Sequence, residues 1–277
     1  MSGAPAAPGR TVPHATIIIP ARLASTRFPE KVLASKTGKP LIQHVHESAS
    51  RARCAQRVVI AADHERIRDA AERFGAMCIL TRPDHPNGTS RIAEAAATLG
   101  LPPDAVIVNA QGDEPDLDPA LIDAAVEALE RSGAPVATAA VPFGPGEDPA
   151  NPAIVKVVLA CRGPEPCHGF AASSPQAVPA IPLALYFSRA LIPHQRDPGA
   201  APPPPLKHVG LYVYRRAFLD DYLRMPPTPL EQTEQLEQLR ILESGYAIAV
   251  AVGEHPTHGG IDTPEQYEAF VRRLRVV

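Results

Sequence analysis

Short apolar runs alternate with amphipathic stretches along the first half of the chain. The run Thr16 to Ile19, stopped by Pro20, predicts a strand. A long polar loop follows, and Pro40 opens a predicted helix that reaches about Arg53. Val58 to Ala61 predicts a second strand. Asp63 suits the N-cap of the next helix, in which Ile67, Ala70, Ala71 and Phe74 recur at helical spacing before Gly75 ends it. Met77 to Leu80 predicts a third strand. A helix carrying Ile92, Ala93, Ala96 and Leu99 stops at Gly100. Ala105 to Ala110 reads as a fourth strand. Asp118-Pro119 then starts a helix with Leu121, Ile122, Ala125 and Leu129 on one face, and Val136 to Val141 gives a fifth strand.

This alternation predicts an α/β fold with a mostly parallel central sheet and helices on both faces. Such sheets place ligands beyond the carboxyl ends of their strands. From Lys156 onward the pattern changes. Strand-like runs at 155–159, 183–187 and 208–214 are separated by Pro-rich stretches, including Pro202 to Pro205. Thr228-Pro229-Leu230-Glu231 is a capping box, and the helix it opens is predicted to run to about Ser244, before Gly245. Ala247 to Val252 is a last strand, and Thr263-Pro264-Glu265-Gln266 caps a final helix. No repeat is visible. Residues 1–14 read as a disordered leader and 15–277 as one domain, elaborated around 155–245.

Composition narrows the class. The chain has 277 residues and a formal charge of −3, so no global basic field favours nucleic acid as a partner. No apolar run is long enough to span a bilayer, and the first residues lack the apolar core of a signal peptide. Of the four cysteines, Cys54 and Cys78 lie in or beside apolar segments and read as core residues. Cys161 and Cys167, beside His168, lack the spacing of a zinc site. The expected compartment is reducing and cytoplasmic.

The loop after the first strand, PARLASTRFPEK, concentrates Arg22, Arg27 and Lys31 and could clamp a triphosphate, although a solvated surface loop has the same composition. A P-loop and a GxGxxG turn are both absent. The fourth strand ends in NAQGDEPD. There Asp113 suits magnesium, which needs only one or two carboxylates besides phosphate oxygens and water. An acidic loop before a helix fits Asp113 equally well on spacing alone. Asp262, in GGIDTP, precedes a capped helix and gains a metal role only by meeting Asp113 in space. In HVGLY, residues 208, 210 and 212 share a strand face, so His208 and Tyr212 could wall a polar pocket with Gly210 leaving room between them.

These segments taken in order resemble one family, the 3-deoxy-D-manno-octulosonate cytidylyltransferases, or CMP-KDO synthetases. The resemblance is carried by IIIPARLASTRFPEKVL with TGKPLI, then HPNGTSRIAEAA, VNAQGDEP, ALYFSRALIP, KHVGLYVYRRAFL, PLEQTEQLEQLRILESGY and GIDTPEQ. It runs from about Thr16 to the C-terminus. It implies a Rossmann-like nucleotide-diphospho-sugar transferase fold, usually homodimeric, that turns CTP and the acid sugar KDO into CMP-KDO and pyrophosphate with Mg²⁺, for lipopolysaccharide-type glycan synthesis. It implies that Arg22 and Lys31 clamp the triphosphate, that Leu23, Gly88 and Arg91 also meet the nucleotide, and that Asp113 and Asp262 hold the metal. Gln111 is placed between nucleotide and sugar; Arg189, His208, Tyr212, Glu237 and Gln238 are placed around the sugar.

The chain departs from the family at two places. Ser90 stands where the family commonly has an acidic residue, which bears on base contacts and cytosine preference. The segment from Cys161 to Ile181 is longer than usual and reads as a loop insertion. Competing readings are a cytidylyltransferase for another acid sugar, such as 8-amino-KDO or sialic acid, and a non-catalytic nucleotide-binding homologue. The Ala24-Ser25-Thr26-Arg27 stretch argues against the sialic acid enzymes, which usually carry Gly-Ser-Lys in that loop.

Overall fold

Apolar runs became strands and amphipathic ones helices in the computed structural model of the chain, which describes residues 13–160, 181–197, 199 and 203–276. The nine strands are β1 (Ala15–Ala21), β2 (Ala55–Ala62), β3 (Met77–Leu80), β4 (Val106–Asn109), β5 (Val136–Pro142), β6 (Lys156–Ala160), β7 (Leu183–Ser188), β8 (Leu206–Arg215) and β9 (Ile248–Val252). They form one sheet in the order β3-β2-β1-β4-β8-β5-β9-β7-β6. Pairing is parallel among β1 to β4 and between β5 and β9; β8 enters antiparallel between β4 and β5. β6 and β7 close the far side antiparallel, and β6 also pairs with the start of β8. The leader lies outside the described residues apart from 13 and 14, as do Cys161, Cys167, His168 and nearly all of the expected insertion.

Alternate side chains of β1 feed two cores. Ile17 and Ile19 join the face covered by α1 (Leu41–Ala49), α2 (Glu65–Arg73) and α4 (Pro119–Ser132). Ile18 joins the opposite face, under α3 (Gly88–Thr98), α5 (Arg216–Arg224) and α7 (Glu237–Glu243). The sheet is thus apolar on both faces, as a doubly covered sheet requires. Cys54 is fully buried in the first core, where burial pushes its thiol up to about 12. The last helix, α8 (Pro264–Val276), packs through Tyr267, Phe270 and Val271 on Leu41 and Phe28. No helix among the described residues is long and apolar enough to cross a membrane.

Four local expectations change. β1 does not stop at Pro20 but continues to Ala21. The carbonyl of Ile18 faces β4, so the imino nitrogen of Pro20 faces the same side; β4 has already ended opposite Ile18, and the missing donor leaves no partner unmatched. Asp63 is not the cap of α2. His64 Nδ1 accepts the Arg66 N–H at 3.1 Å instead, while Asp63 accepts the Leu23 N–H at 2.9 Å. The stretch from Thr228 is not one helix. α6 (Pro229–Glu234) and α7 are separated at Gln235, which is left-handed at φ 53°. Helix α5, which was not expected although Phe218, Leu219 and Tyr222 recur at helical spacing, follows β8 directly.

Asp123, on α4, is a buried carboxylate that ties α4 to the turn before β2. It accepts the Cys54 N–H at 2.8 Å, the Arg53 N–H at 3.2 Å and Arg53 Nε at 2.9 Å. Burial pushes its pKa up, but the bonds from Arg53 and Cys54 outweigh this and hold it below its ordinary value. A depressed folded-state pKa contributes stability above the unfolded value, and that contribution disappears as pH falls through the folded one. Asp123→Ala is therefore expected to lower the unfolding free energy by about 2 kcal/mol at neutral pH in urea titrations. The difference from wild type should shrink once the pH drops below about 4; a gap that persists unchanged would rule out the carboxylate as its source.

Candidate active site

β1 and β4 are parallel neighbours, so the loops leaving their carboxyl ends emerge side by side. One carries Arg22, the other Gln111 and Asp113. They touch at Gly112, where an added Cβ would lie 2.7 Å from the carbonyl oxygen of Pro20. The glycine of this loop is needed for close approach of two backbones rather than for a sharp turn. The N-terminus of α3 completes the third side. Asn87 caps it by accepting the Ser90 N–H at 2.9 Å, and its positive dipole end faces the cleft through Gly88.

The cleft encloses about 270 Å³. Eight of the residues predicted for the site line it: Arg22, Lys31, Gly88, Arg91, Gln111, Asp113, Glu237 and Asp262. Lys31 sits on a short 3₁₀ turn and is at the centre of the polar contacts. Its ammonium donates to Asp113 Oδ2 at 2.6 Å, to Asp262 Oδ1 at 2.9 Å and to the Ile261 carbonyl at 3.0 Å. Arg27 holds the other oxygen of Asp262 at 2.8 Å. The Ile261 N–H donates to the Asp113 carbonyl at 2.8 Å, so the two aspartate segments are also joined through backbone. Two carboxylates 149 positions apart thus converge on one cation. No group of three or more potential metal ligands exists among the described residues. A divalent ion would need phosphate and water oxygens to complete its shell, as magnesium sites beside nucleotides do.

Other predicted residues have different surroundings. Arg91 is almost fully buried beneath the cleft and is braced by Thr81 Oγ1 at 2.6 Å and the Arg82 carbonyl at 3.1 Å. Leu23 packs on the core and contributes its N–H to Asp63; it does not line the cleft. Ser90 does not reach the cleft either, because its hydroxyl donates back to the Asn87 carbonyl at 2.9 Å. Arg189 is not brought to the cleft. Its guanidinium donates to the carbonyls of Glu234 at 2.7 Å, Pro152 at 3.1 Å and Gln235 at 3.3 Å. Glu234 in turn accepts Ser188 Oγ at 2.6 Å and the Arg189 N–H at 2.9 Å. These bonds take carbonyls that a continuous helix would have used, which is why α6 ends there and α7 restarts with Glu237 in the cleft wall. Gln238, next along, is buried.

His208, Gly210 and Tyr212 do share a face of β8, and the two rings lie 5.4 Å apart. The space left by Gly210 is not open, however. A Cβ there would meet Glu114 Oε1 at 2.7 Å and Gln111 Cγ at 3.4 Å, so the glycine admits those two side chains. His208 is neutral, because burial pushes its pKa down to about 3. Thr138 Oγ1 gives its single proton to the Leu211 carbonyl at 2.7 Å, so at 2.9 Å it must accept from His208 Nε2–H. That assignment leaves Nδ1 as an acceptor.

The sequence reading missed three participants. Glu114 lies behind Asp113, where burial and then the Asp113 charge push its carboxyl up to about 8. Its position beside Asp113 in the acidic loop was the available signal. Asn87 lines the cleft and donates to Tyr222 Oη at 3.2 Å, and Tyr222 donates to Glu237 Oε2 at 3.3 Å. Its place before Gly88 marked it as a cap. His85 also lines the cleft and pairs with Glu94, which no periodicity announces.

Comparison with known proteins identifies the family. A family model described as cytidylyltransferase matches residues 16–248. A 3-deoxy-manno-octulosonate cytidylyltransferase of Syntrophobacter fumaroxidans is 47% identical over 255 residues, covering 92% of this chain and 94% of its own. One of Herminiimonas arsenicoxydans is 48% identical over 257 residues, covering 90% and 94%. Among solved structures, a CMP:2-keto-3-deoxy-manno-octonic acid synthetase complexed with CTP superposes with a TM-score of 0.81 at 36% identity, covering 95% of this chain and 98% of its own.

The neutral state of His208 is directly measurable. Long-range ¹H–¹⁵N NMR is expected to show an uncharged imidazole, protonated on Nε2, from pH 5 to pH 8. A midpoint inside that window would remove the assignment.

Proposed function

The chain belongs to the cytidylyltransferase family, and from that premise we propose that it transfers CMP from CTP to 3-deoxy-D-manno-octulosonate, giving CMP-KDO and pyrophosphate. The observation that carries this reading is the convergence of Asp113, Asp262 and Lys31 in a cleft walled by Arg22, Gln111 and the start of α3. The KDO relatives favour this sugar over 8-amino-KDO and sialic acid. Retention of both carboxylates and the cationic loop favours catalysis over a binding-only role.

In this reading the anomeric hydroxyl of the sugar attacks the α-phosphorus of CTP. The bond to the bridging oxygen breaks in line, pyrophosphate leaves, and the hydroxyl proton passes to solvent. The protein contributes positioning and charge neutralisation, with no covalent intermediate. Arg22, exposed and without an ion pair among the described residues, faces the triphosphate, and the N-terminus of α3 adds its dipole. Gln111 separates the nucleotide from the sugar. Beyond it, Tyr212 and the neutral His208 offer the sugar a hydroxyl and an acceptor nitrogen, while Glu237 closes the wall. Asp113 and Asp262 are the residues that would hold Mg²⁺, which when bound would polarise the phosphate and acidify the attacking hydroxyl. Arg189 acts at one remove, by fixing the break that aims Glu237 inward.

We read the protein as a homodimer, as its family resemblance implies. The exposed Leu185 and Leu191, on and just after β7, supply apolar surface suited to a partner. Its product would serve lipopolysaccharide-type glycan synthesis in the cytoplasm, where CTP is made.

The decisive assay is pyrophosphate release from CTP with KDO, 8-amino-KDO and sialic acid in parallel. KDO is expected to give the highest kcat/KM, and equal rates with sialic acid would overturn the substrate assignment. Asp113→Asn and Asp262→Asn should each lower kcat by about a hundredfold or more while circular dichroism stays that of wild type. Tyr212→Phe should raise the KM for KDO more than that for CTP; equal increases would place Tyr212 outside the sugar pocket.

A further inference from the structure

The two roles given to this cluster compete for one side chain. Lys31 is to clamp the triphosphate while Asp113 and Asp262 hold a metal, yet all three donors of its ammonium are taken by Asp113, Asp262 and the Ile261 carbonyl. The side chain is only 11% exposed, so water cannot replace those partners cheaply. With Arg27 on the outer oxygen of Asp262, two cations already balance the two carboxylates. We propose that the Lys31 ammonium is the resident counter-ion of the metal-binding carboxylates, and that a divalent cation enters only in exchange for it, with the nucleotide. The proposal rests on the reading of Asp113 and Asp262 as metal ligands.

The energetics favour a coupled exchange. A divalent ion arriving alone meets a site whose negative charge is already matched, and displacing Lys31 would leave a desolvated ammonium without an anion. If the triphosphate arrives too, the displaced ammonium gains phosphate oxygens as partners while the carboxylates gain the metal. Glu30, just before Lys31, is left-handed at φ 54° and is fixed by Arg66, whose Nη2 lies 2.7 Å from Glu30 Oε2. In the proposed exchange the four-carbon stem of Lys31 swings on a turn that this pair ties to α2. Arg27, 67% exposed, can follow. The consequence is an order of binding in which metal and nucleotide arrive together, and in which the carboxylates are held in register beforehand by a cation of the chain's own.

The test is Mn²⁺ binding to the nucleotide-free protein, read by loss of the electron paramagnetic resonance signal of aqueous Mn²⁺. Wild type is expected to bind weakly. Lys31→Met, which removes the ammonium and keeps the stem, should bind Mn²⁺ at least about tenfold more tightly without CTP, because a like charge has gone from beside the ion. Adding Asp262→Asn to that variant should abolish the gain. Lys31→Gln should show the same gain, and serves if Lys31→Met does not fold. Equal Mn²⁺ affinity for folded wild type and either Lys31 variant would overturn the exchange. A parallel arm measures the wild-type complex with Mn²⁺ and CTP. Its loss in Asp113→Asn, with no gain in the Lys31 variants, sinks the exchange alone. Indifference of that complex to both aspartates sinks the metal reading beneath it.

Discussion

One ammonium group holds the candidate active site together. Lys31 joins the loop after β1, the loop after β4 and the segment leading into α8, three pieces of chain with no sequence proximity. Two carboxylates this close repel each other unless a cation lies between them or one of them takes up a proton. Removing the lysine would therefore leave the negative charge of the cleft unmatched by its central cation. The aromatic packing of Phe28 on Tyr267 and the bond from the Lys36 N–H to Tyr267 Oη at 2.8 Å serve the same end, since they fasten α8 to the first loop. Apolar burial brings the segments close, and the ion cluster fixes where their polar ends finish.

The opposite side of the cleft depends on interruptions of regular structure. β8 runs against its neighbours β4 and β5 and takes up Gly210 and Leu211 as extra residues opposite β5, between the partners of Thr138 and Ala139. That bulge lies where Glu114 and Gln111 need space. The break between α6 and α7 is similar in kind. Arg189 takes the carbonyls of Glu234 and Gln235 that would have continued the helix, the Glu234 carboxylate holds the Arg189 N–H, and Leu236 then turns into the core while Glu237 meets the cleft. Arg189, which the resemblance placed around the sugar, is thus found bonded behind the wall of the cleft.

A hydrogen-bonded path connects the two walls. Asn87 caps α3 at the cleft, Tyr222 takes its amide proton, and Glu237 accepts from Tyr222. Arg240 lies 5.1 Å from the Tyr222 ring centre and is paired with Glu231, the N3 residue of the α6 capping box. Polar groups at this depth are stable only if each is satisfied, so the network constrains α3, α5, α6 and α7 together.

The order of the elements apart from α5 and the α6–α7 break, the two-faced sheet, most helix ends and the loops that carry the chemistry were legible along the chain. These are local properties: strand runs such as 136–141 and caps such as Asp118, Thr228 and Thr263 depend on side-chain period and on hydrogen bonds within a few residues. The sequence did not determine that β1 would pass through Pro20, that Asp63 would serve Leu23 instead of α2, or that the helix after Thr228 would break. In each case a partner distant in sequence satisfied or released a backbone group. Whether Asp113 was a metal ligand or an ordinary acidic loop residue was open in the same way, because the answer depended on Asp262 and Lys31. What folding adds is that Asp113 and Asp262 share one ammonium, a contact that acts through space and leaves no period along the chain.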